Sequence, residues 1–329
     1  MKDLTRRPIR WGIIGLGNIA GKFATDLVTV PGAQLYAVAS RHQYKANSFA
    51  KQFNAEKAYG TYEALAADPF IDAVYIATPH SFHKANTILC LNSDKAVLCE
   101  KPFAMHQGEV EEMLAVAKAN KVLLMEALWT YFLPHYQFAL KLLATKQYGK
   151  ILKLEADFGF RPELDFSSRV FKKSLGGGSL LDVGIYPIFV ALTTLGKPSD
   201  IDAKASFFEN GVDAVCEMIF NYPDGVKAFL KSSLLENTPT EAVFYCEKAT
   251  IKINSRFHEP STVSILKNGK EEVKTFGYNT IGYSYEIAHF NELLRKGHKE
   301  SPLMSHEMSK LIIKTLDHVR QLIDLEYEK

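Results

Sequence analysis

Cysteine is scarce, neither sign of charge is in marked excess, and no unbroken apolar run of membrane-spanning length occurs. Only four cysteines occur in 329 residues: Cys90, Cys99, Cys216 and Cys246. None forms a C-x-x-C pair and none has histidines at metal-ligand spacing beside it, which argues against a structural zinc site, so no metal is expected. Sparse, unpatterned cysteine suits a reducing, cytoplasmic setting. Lys and Arg number 39 against 37 Asp and Glu, a formal net charge of +2. Nucleic-acid binding needs clustered basic charge, so no nucleic-acid partner is expected. No stretch approaches the roughly 18–20 apolar residues of a membrane span, so no membrane partner is expected either. Residues 1–10 are basic but lead only into a short apolar run broken by glycine, which is not the pattern of a signal peptide.

What is present is ordinary globular composition, 47% hydrophobic and 23% charged. At about 150 residues per domain the length suggests about two domains, each large enough to bury a core. In the first third, short apolar strands (residues 9–14, 34–39, 73–77 and 96–99) alternate with helical runs (22–30, 45–53, 83–92 and 108–120). That alternation implies a parallel sheet covered on both faces. After about Glu126 the pattern changes to longer alternating strands at 152–158, 201–208, 213–221, 225–234, 242–246 and 263–267. Asn210-Gly211, Pro223-Asp224-Gly225 and Asn268-Gly269 punctuate them as hairpin turns. Two helices close the chain; in the last, Met308, Ile312, Leu316, Val319 and Ile323 form an apolar stripe. The expected fold class is α/β: an N-terminal Rossmann fold over residues 1–125. An α+β domain over 126–329 follows, built on a large, mostly antiparallel open sheet with the C-terminal helices.

Gly15-Leu16-Gly17-Asn18-Ile19-Ala20 follows the first strand and opens the first helix. It is a GxGxxA form of the dinucleotide fingerprint: Gly15 for the tight turn, Gly17 for close approach of a pyrophosphate, Ala20 for close helix–strand packing. Backbone N–H groups around Asn18 and Ile19 would hold the phosphates. An NAD site usually places a carboxylate after the second strand, to hold the ribose 2′-hydroxyl. Here Ser40-Arg41-His42 stand there with Lys45 nearby. A guanidinium suits a 2′-phosphate, so NADP is expected as cofactor, with NAD possible.

Three segments sit at or just after strand ends: Thr78-Pro79-His80, Glu100-Lys101-Pro102, and Glu126 leading to Trp129. Ligands of open parallel sheets bind beyond those ends. Gly176-Gly177-Gly178 leads to Asp182 and Tyr186, which share a face if the segment is helical. A carboxylate and a phenol on one face suit a hydroxylated substrate and a moving proton. Pro187 conflicts with a helix interior, and Asp182 read alone could equally be a helix cap.

Taken together, these motifs resemble the Gfo/Idh/MocA oxidoreductase family along essentially the whole chain. Many members carry histidine where this chain has Tyr186. Tyrosine there is similar to the branch of glucose–fructose oxidoreductase, dimeric dihydrodiol dehydrogenase and NADP-dependent D-xylose dehydrogenase. Met125-Glu126-Ala127-Leu128-Trp129-Thr130 is similar to the dihydrodiol group, in which an arginine follows soon after the tryptophan; here Tyr131 and Phe132 follow. The resemblance implies hydride transfer between nicotinamide and a hydroxyl or carbonyl carbon of a sugar or trans-dihydrodiol. Lys101 and Tyr186 would be the catalytic pair and Asp182 would orient a substrate hydroxyl. Trp129 would line the substrate pocket, and Thr78, Pro79, His80, Glu100 and Lys101 would contact the cofactor. The resemblance also admits a keto-sugar or inositol-type enzyme and a non-catalytic NADP-sensing regulator. It further implies a homo-oligomer, commonly a dimer, through the C-terminal sheet.

Overall fold

A computed structural model describes residues 7–327. In chain order, the first part runs β1 (Ile9–Ile14), α1 (Asn18–Leu27), β2 (Ala33–Ala39), α2 (Gln43–Phe53), β3 (Lys57–Tyr59) and α3 (Tyr62–Ala67). It continues through β4 (Ala73–Ile76), α4 (His83–Asn92), β5 (Ala96–Glu100), α5 (Gln107–Asn120) and β6 (Leu124–Ala127). The second part runs α6 (Pro134–Ala144), β7 (Ile151–Gly159), α7 (Ile185–Leu195), β8 (Asp200–Phe207), β9 (Asp213–Asn221) and β10 (Lys227–Ser233). There follow β11 (Ala242–Cys246), β12 (Thr250–Ile253), β13 (Val263–Lys267), β14 (Lys270–Lys274), α8 (Tyr283–Arg295) and α9 (His306–Leu322).

Two compact units emerge: the chain through Trp129 with Asn279–Lys310, and Thr130–Tyr278 with the chain from Leu311. The first carries a six-stranded sheet in the order β3-β2-β1-β4-β5-β6, every pair parallel. β4 and β5 are buried at every position, which explains why they read as unbroken apolar runs rather than alternating ones. The order reverses between β1 and β4, so the open crevice lies beyond the carboxyl ends of those strands.

The division differs from the expected one. The first unit extends past residue 125 to Trp129, and it reclaims α8, which the sequence reading assigned to the second domain. The reason is core chemistry. Trp11 on β1 is fully buried, packs against Phe290 of α8 at a ring separation of 5.1 Å, and donates its indole N–H to Asn291 Oδ1. Asp26 on α1 accepts the backbone N–H groups of Ile281, Gly282 and Ser284, satisfying donors that the start of α8 would otherwise leave unpaired.

The second unit is built on an eight-stranded sheet, β14-β13-β12-β11-β7-β10-β9-β8. Only the β7–β10 pair is parallel. Asn268 and Gly269, both at positive φ, turn β13 into β14 as the Asn-Gly pair requires. β12 and β14 escape the sequence reading; β14 is an all-exposed, charged edge strand with no apolar alternation to see. The apolar run Lys173–Leu195 has the length and composition of a bilayer span, but 94% of its most apolar window is buried, as befits a core helix. It contains α7, which packs on β7 and β10. The other face carries a cross-strand row that includes Ile219, Phe229, Val243 and Val273, of which Phe229 and Val273 are exposed.

Candidate active site

The cradle at the end of β1 has the geometry a dinucleotide needs. Gly15 sits at φ +89, and a Cβ there would lie 2.6 Å from the backbone of Ala77 and Thr78, so only glycine lets the turn pass the end of β4. At Gly17, by contrast, a Cβ would meet nothing within 4 Å. Gly17, Asn18 and Ile19 are exposed while Ala20 is fully buried. The first turn of α1 has no acidic residue and no side-chain cap, so its amide donors remain available for an anion. These residues fit a pyrophosphate.

After β2, Ser40 is buried and its Oγ accepts the His42 N–H, while Arg41 and Lys45 are exposed. The Arg41 guanidinium lies 5.7 Å from the Phe82 ring. No carboxylate occurs from Ser40 through Lys45 to repel a 2′-phosphate.

The turns after β4 and β5 are fastened from below. Thr78 is buried, its Oγ1 accepting from Asn86 Nδ2, and Pro79 leads into a short 3-10 turn that buries His80. Glu100 takes the Tyr75 hydroxyl on one oxygen and the Lys101 N–H on the other. Its carboxylate is thus engaged within the unit, and Lys101 beside it is half-buried. The Lys101-Pro102 peptide is cis. Glu126 on β6, buried, accepts the Phe103 N–H at 3.0 Å. Burial pushes its carboxyl up to about 7. Trp129 is buried with its ring stacked on Tyr283 at 4.3 Å.

In the second unit, residues 180–184 form one π-turn, and α7 begins at Ile185. Pro187 therefore stands three residues into α7, directly after a π-turn that already interrupts the i→i−4 ladder, and that change of register accommodates it. Asp182 does not cap the helix. That role belongs to Asp213, fully buried, whose Oδ2 accepts the Ser179 hydroxyl at 2.8 Å and the Leu180 N–H at 2.7 Å. Gly178 allows it: a Cβ there would lie 2.0 Å from Asp213 Oδ1. Tyr327 closes the loop, donating to Gly177 O.

Asp182 instead faces Arg169, with guanidinium nitrogens 3.2 and 3.3 Å from Oδ1 and 3.3 Å from Oδ2. Tyr186 packs its ring against Phe158 and His258, at 5.5 and 5.1 Å. Asp182 and Tyr186 are thus both buried, one held by a cation and the other by an aromatic wall. Sequence reasoning missed Arg169, Phe158, His258 and Asp213. Each reaches the site from a separate segment, and no local pattern marks it.

Residues 9–128 match the oxidoreductase family with an NAD-binding Rossmann fold, GFO/IDH/MocA, and residues 136–252 match the GFO/IDH/MocA C-terminal domain. The chain belongs to the GFO/IDH/MocA oxidoreductase family. It is 37% identical over 330 residues to a trans-1,2-dihydrobenzene-1,2-diol dehydrogenase of Xenopus tropicalis, covering 97% of this chain and 99% of that protein. The dehydrogenase of the same name from Homo sapiens is 35% identical over 329 residues, covering 97% and 98%. Among solved GFO/IDH/MocA-like structures, the 3-ketoreductase KijD10 of Actinomadura kijaniata, in complex with NADP and TDP-benzene, superposes with TM-score 0.87 at 27% identity, covering 96% of this chain and 98% of that one. An aldose-aldose oxidoreductase of Caulobacter crescentus shares the fold, with TM-score 0.88 at 22% identity over 97% and 98% of the two chains.

Proposed function

We propose that this GFO/IDH/MocA member is an NADP-dependent oxidoreductase that interconverts a hydroxyl and a carbonyl carbon of a sugar or trans-dihydrodiol. The observation that carries the proposal is that the chain keeps Lys101, Asp182 and Tyr186 together with a fitted dinucleotide cradle. The amides at Gly17, Asn18 and Ile19 would hold the pyrophosphate. Arg41 and Lys45, with Ser40 beside them, would meet the 2′-phosphate, and Thr78, Pro79, His80, Glu100 and Lys101 would border the nicotinamide end. The nicotinamide supplies the hydride chemistry; the protein supplies position and charge.

Tyr186 takes the hydroxyl proton in oxidation and returns it in reduction. A free phenol ionises at about 10; by the family resemblance, the Lys101 ammonium is the cation that would favour the phenolate as the proton leaves. Asp182 accepts a hydrogen bond from a second substrate hydroxyl and so orients the carbon. Trp129 contributes a pocket wall. KijD10, whose name is that of a 3-ketoreductase, has been solved with single replacements of a lysine and of a tyrosine, the two residue types assigned here. Its name keeps reduction of a keto-sugar open as the working direction, and an inositol-type reaction is the other alternative within the family. A regulator that only senses NADP has no use for the three side chains together.

The protein is further read as cytoplasmic and as a homodimer whose open sheet face meets a second copy. Exposed Phe229 and Val273, and a cavity of about 490 Å³ beside Phe229 on that face, support the second reading. The deciding assay is reduced-nicotinamide absorbance with NADP or NAD against xylose, glucose, inositols and trans-dihydrodiols. Turnover with NADP that vanishes in Lys101→Met supports the proposal. Tight NADPH binding with no turnover of any substrate moves the reading to the sensor.

A further inference from the structure

His83 opens α4 and is fully buried. Its Nδ1 lies 2.8 Å from Pro102 O and its Nε2 lies 2.8 Å from Thr78 O. Both partners are main-chain carbonyls, which only accept. A neutral imidazole has one N–H, and its other nitrogen presents a lone pair. A neutral His83 would therefore set lone pair against lone pair at hydrogen-bond distance, in a place closed to water. A doubly protonated ring donates at both ends and satisfies both carbonyls.

His135 in the other unit shows the opposite arrangement. Its Nε2 faces Phe257 O at 2.9 Å, but its Nδ1 faces the Tyr278 hydroxyl, which can donate. One N–H suffices there, and burial lowers that imidazole to about 4. The difference between the two histidines lies in the partners and not in the depth.

The two carbonyls held by His83 belong to the two turns that end β4 and β5. Thr78 precedes Pro79 and His80; Pro102 follows Lys101 directly. We propose that His83 is a buried imidazolium that ties these turns together and so sets the position of Lys101, as a positioning residue for the reaction. The charged and titratable groups of the surrounding elements are His80, with its ring 5.7 Å away, Lys84 on α4, Glu100 and Lys101 at the end of β5, and Glu126 on β6. From α5, Glu109 and Glu112 pair with Lys84. The positioning role rests on Lys101 being catalytic; the protonation of His83 does not.

Long-range nitrogen–proton NMR on the histidine-labelled wild-type protein tests the charge directly, with His83→Gln assigning the signal. Both His83 nitrogens should stand at the protonated position from about pH 6 to about pH 8, where exposed histidines titrate. A bare nitrogen at neutral pH overturns the proposal; should His83→Gln fail to fold, sequential backbone assignment of the wild-type protein identifies the same signal. For the positioning role, His83→Gln should move the Lys101 side-chain NMR signal and lower kcat by about tenfold or more, with NADPH affinity changed less than ~3-fold. An unmoved Lys101 signal with a lower Tm and unchanged kcat makes His83 structural only and overturns that role. If the wild type turns over no substrate, the hydride-transfer reading falls, and the two NMR readings still decide this one.

Discussion

At the scale of single residues, the chemistry is concentrated in a few side chains whose partners define what they can do. Tyr186→Phe removes one oxygen and leaves the packing against Phe158 and His258 in place. It should bind NADP normally and lose turnover by about 10²–10⁴, the scale of an acid–base group; steady-state rates beside NADPH fluorescence titration check this. Arg169→Met should act differently. Arg169 holds the carboxylate of Asp182 with a two-pronged contact, and losing it frees the group proposed to orient a second hydroxyl. The expected result is a KM raised about tenfold or more for a vicinal diol. The KM for an analogue lacking the second hydroxyl should barely change. Gly15, Gly17, Lys101, Asp182 and Tyr186 were legible because each belongs to a short motif with its own chemistry. Arg169, Phe158 and His258 were not, because each reaches the site through folding across many residues, and an isolated arginine or histidine in a loop has no pattern to betray it.

At the scale of elements, the segment from Gly176 to α7 shows how a backbone places a side chain. Asp213 on β9 satisfies the first turn of this run from inside the core. Burial pushes its carboxyl up to about 7, whereas in the unfolded chain it ionises near ~3.9. Between about pH 4 and pH 7 the folded chain therefore keeps a proton that the unfolded chain has released. The contribution of Asp213 to stability falls as pH rises through that window. Asp213→Asn cannot lose a proton. It should be less stable than wild type near pH 5, with the difference in Tm narrowing towards pH 8 in a calorimetric series. A constant difference would mean that Asp213 carries its charge throughout. β1, β2, β4 and β5 were legible because they are short apolar runs between helices; β3, three residues long and partly exposed, and β6 were not. The π-turn was not: its sequence resembles a helix interrupted by Pro187, and only the register of the turn moves that proline to a harmless position.

At the scale of the whole molecule, an eight-stranded sheet whose open face carries the row of Ile219, Phe229, Val243 and Val273 asks for a cover. Phe229→Glu places a charge in the middle of that row. Light scattering should show a wild-type dimer and a variant shifted towards monomer, with the secondary structure unchanged. A wild type that is monomeric at micromolar concentration would remove the pairing. The two-part architecture was visible from the change in periodicity near Glu126. The return of α8 to the first unit was not, because an amphipathic helix does not announce which core it will enter.

That return has a temporal side. Trp11 finds its hydrogen-bond partner on Asn291, 280 residues later. The first sheet is complete at Ala127 and α8 ends at Arg295, so at about 5–20 residues per second of synthesis the finished sheet waits roughly 8–34 seconds for the helix that seals it. During that interval its largest buried ring has Phe23 beside it but neither Phe290 nor the Asn291 acceptor. A nascent chain of this protein is an early client for whatever shields apolar surface in its cell, and the nucleotide-binding half, although made first, is finished nearly last.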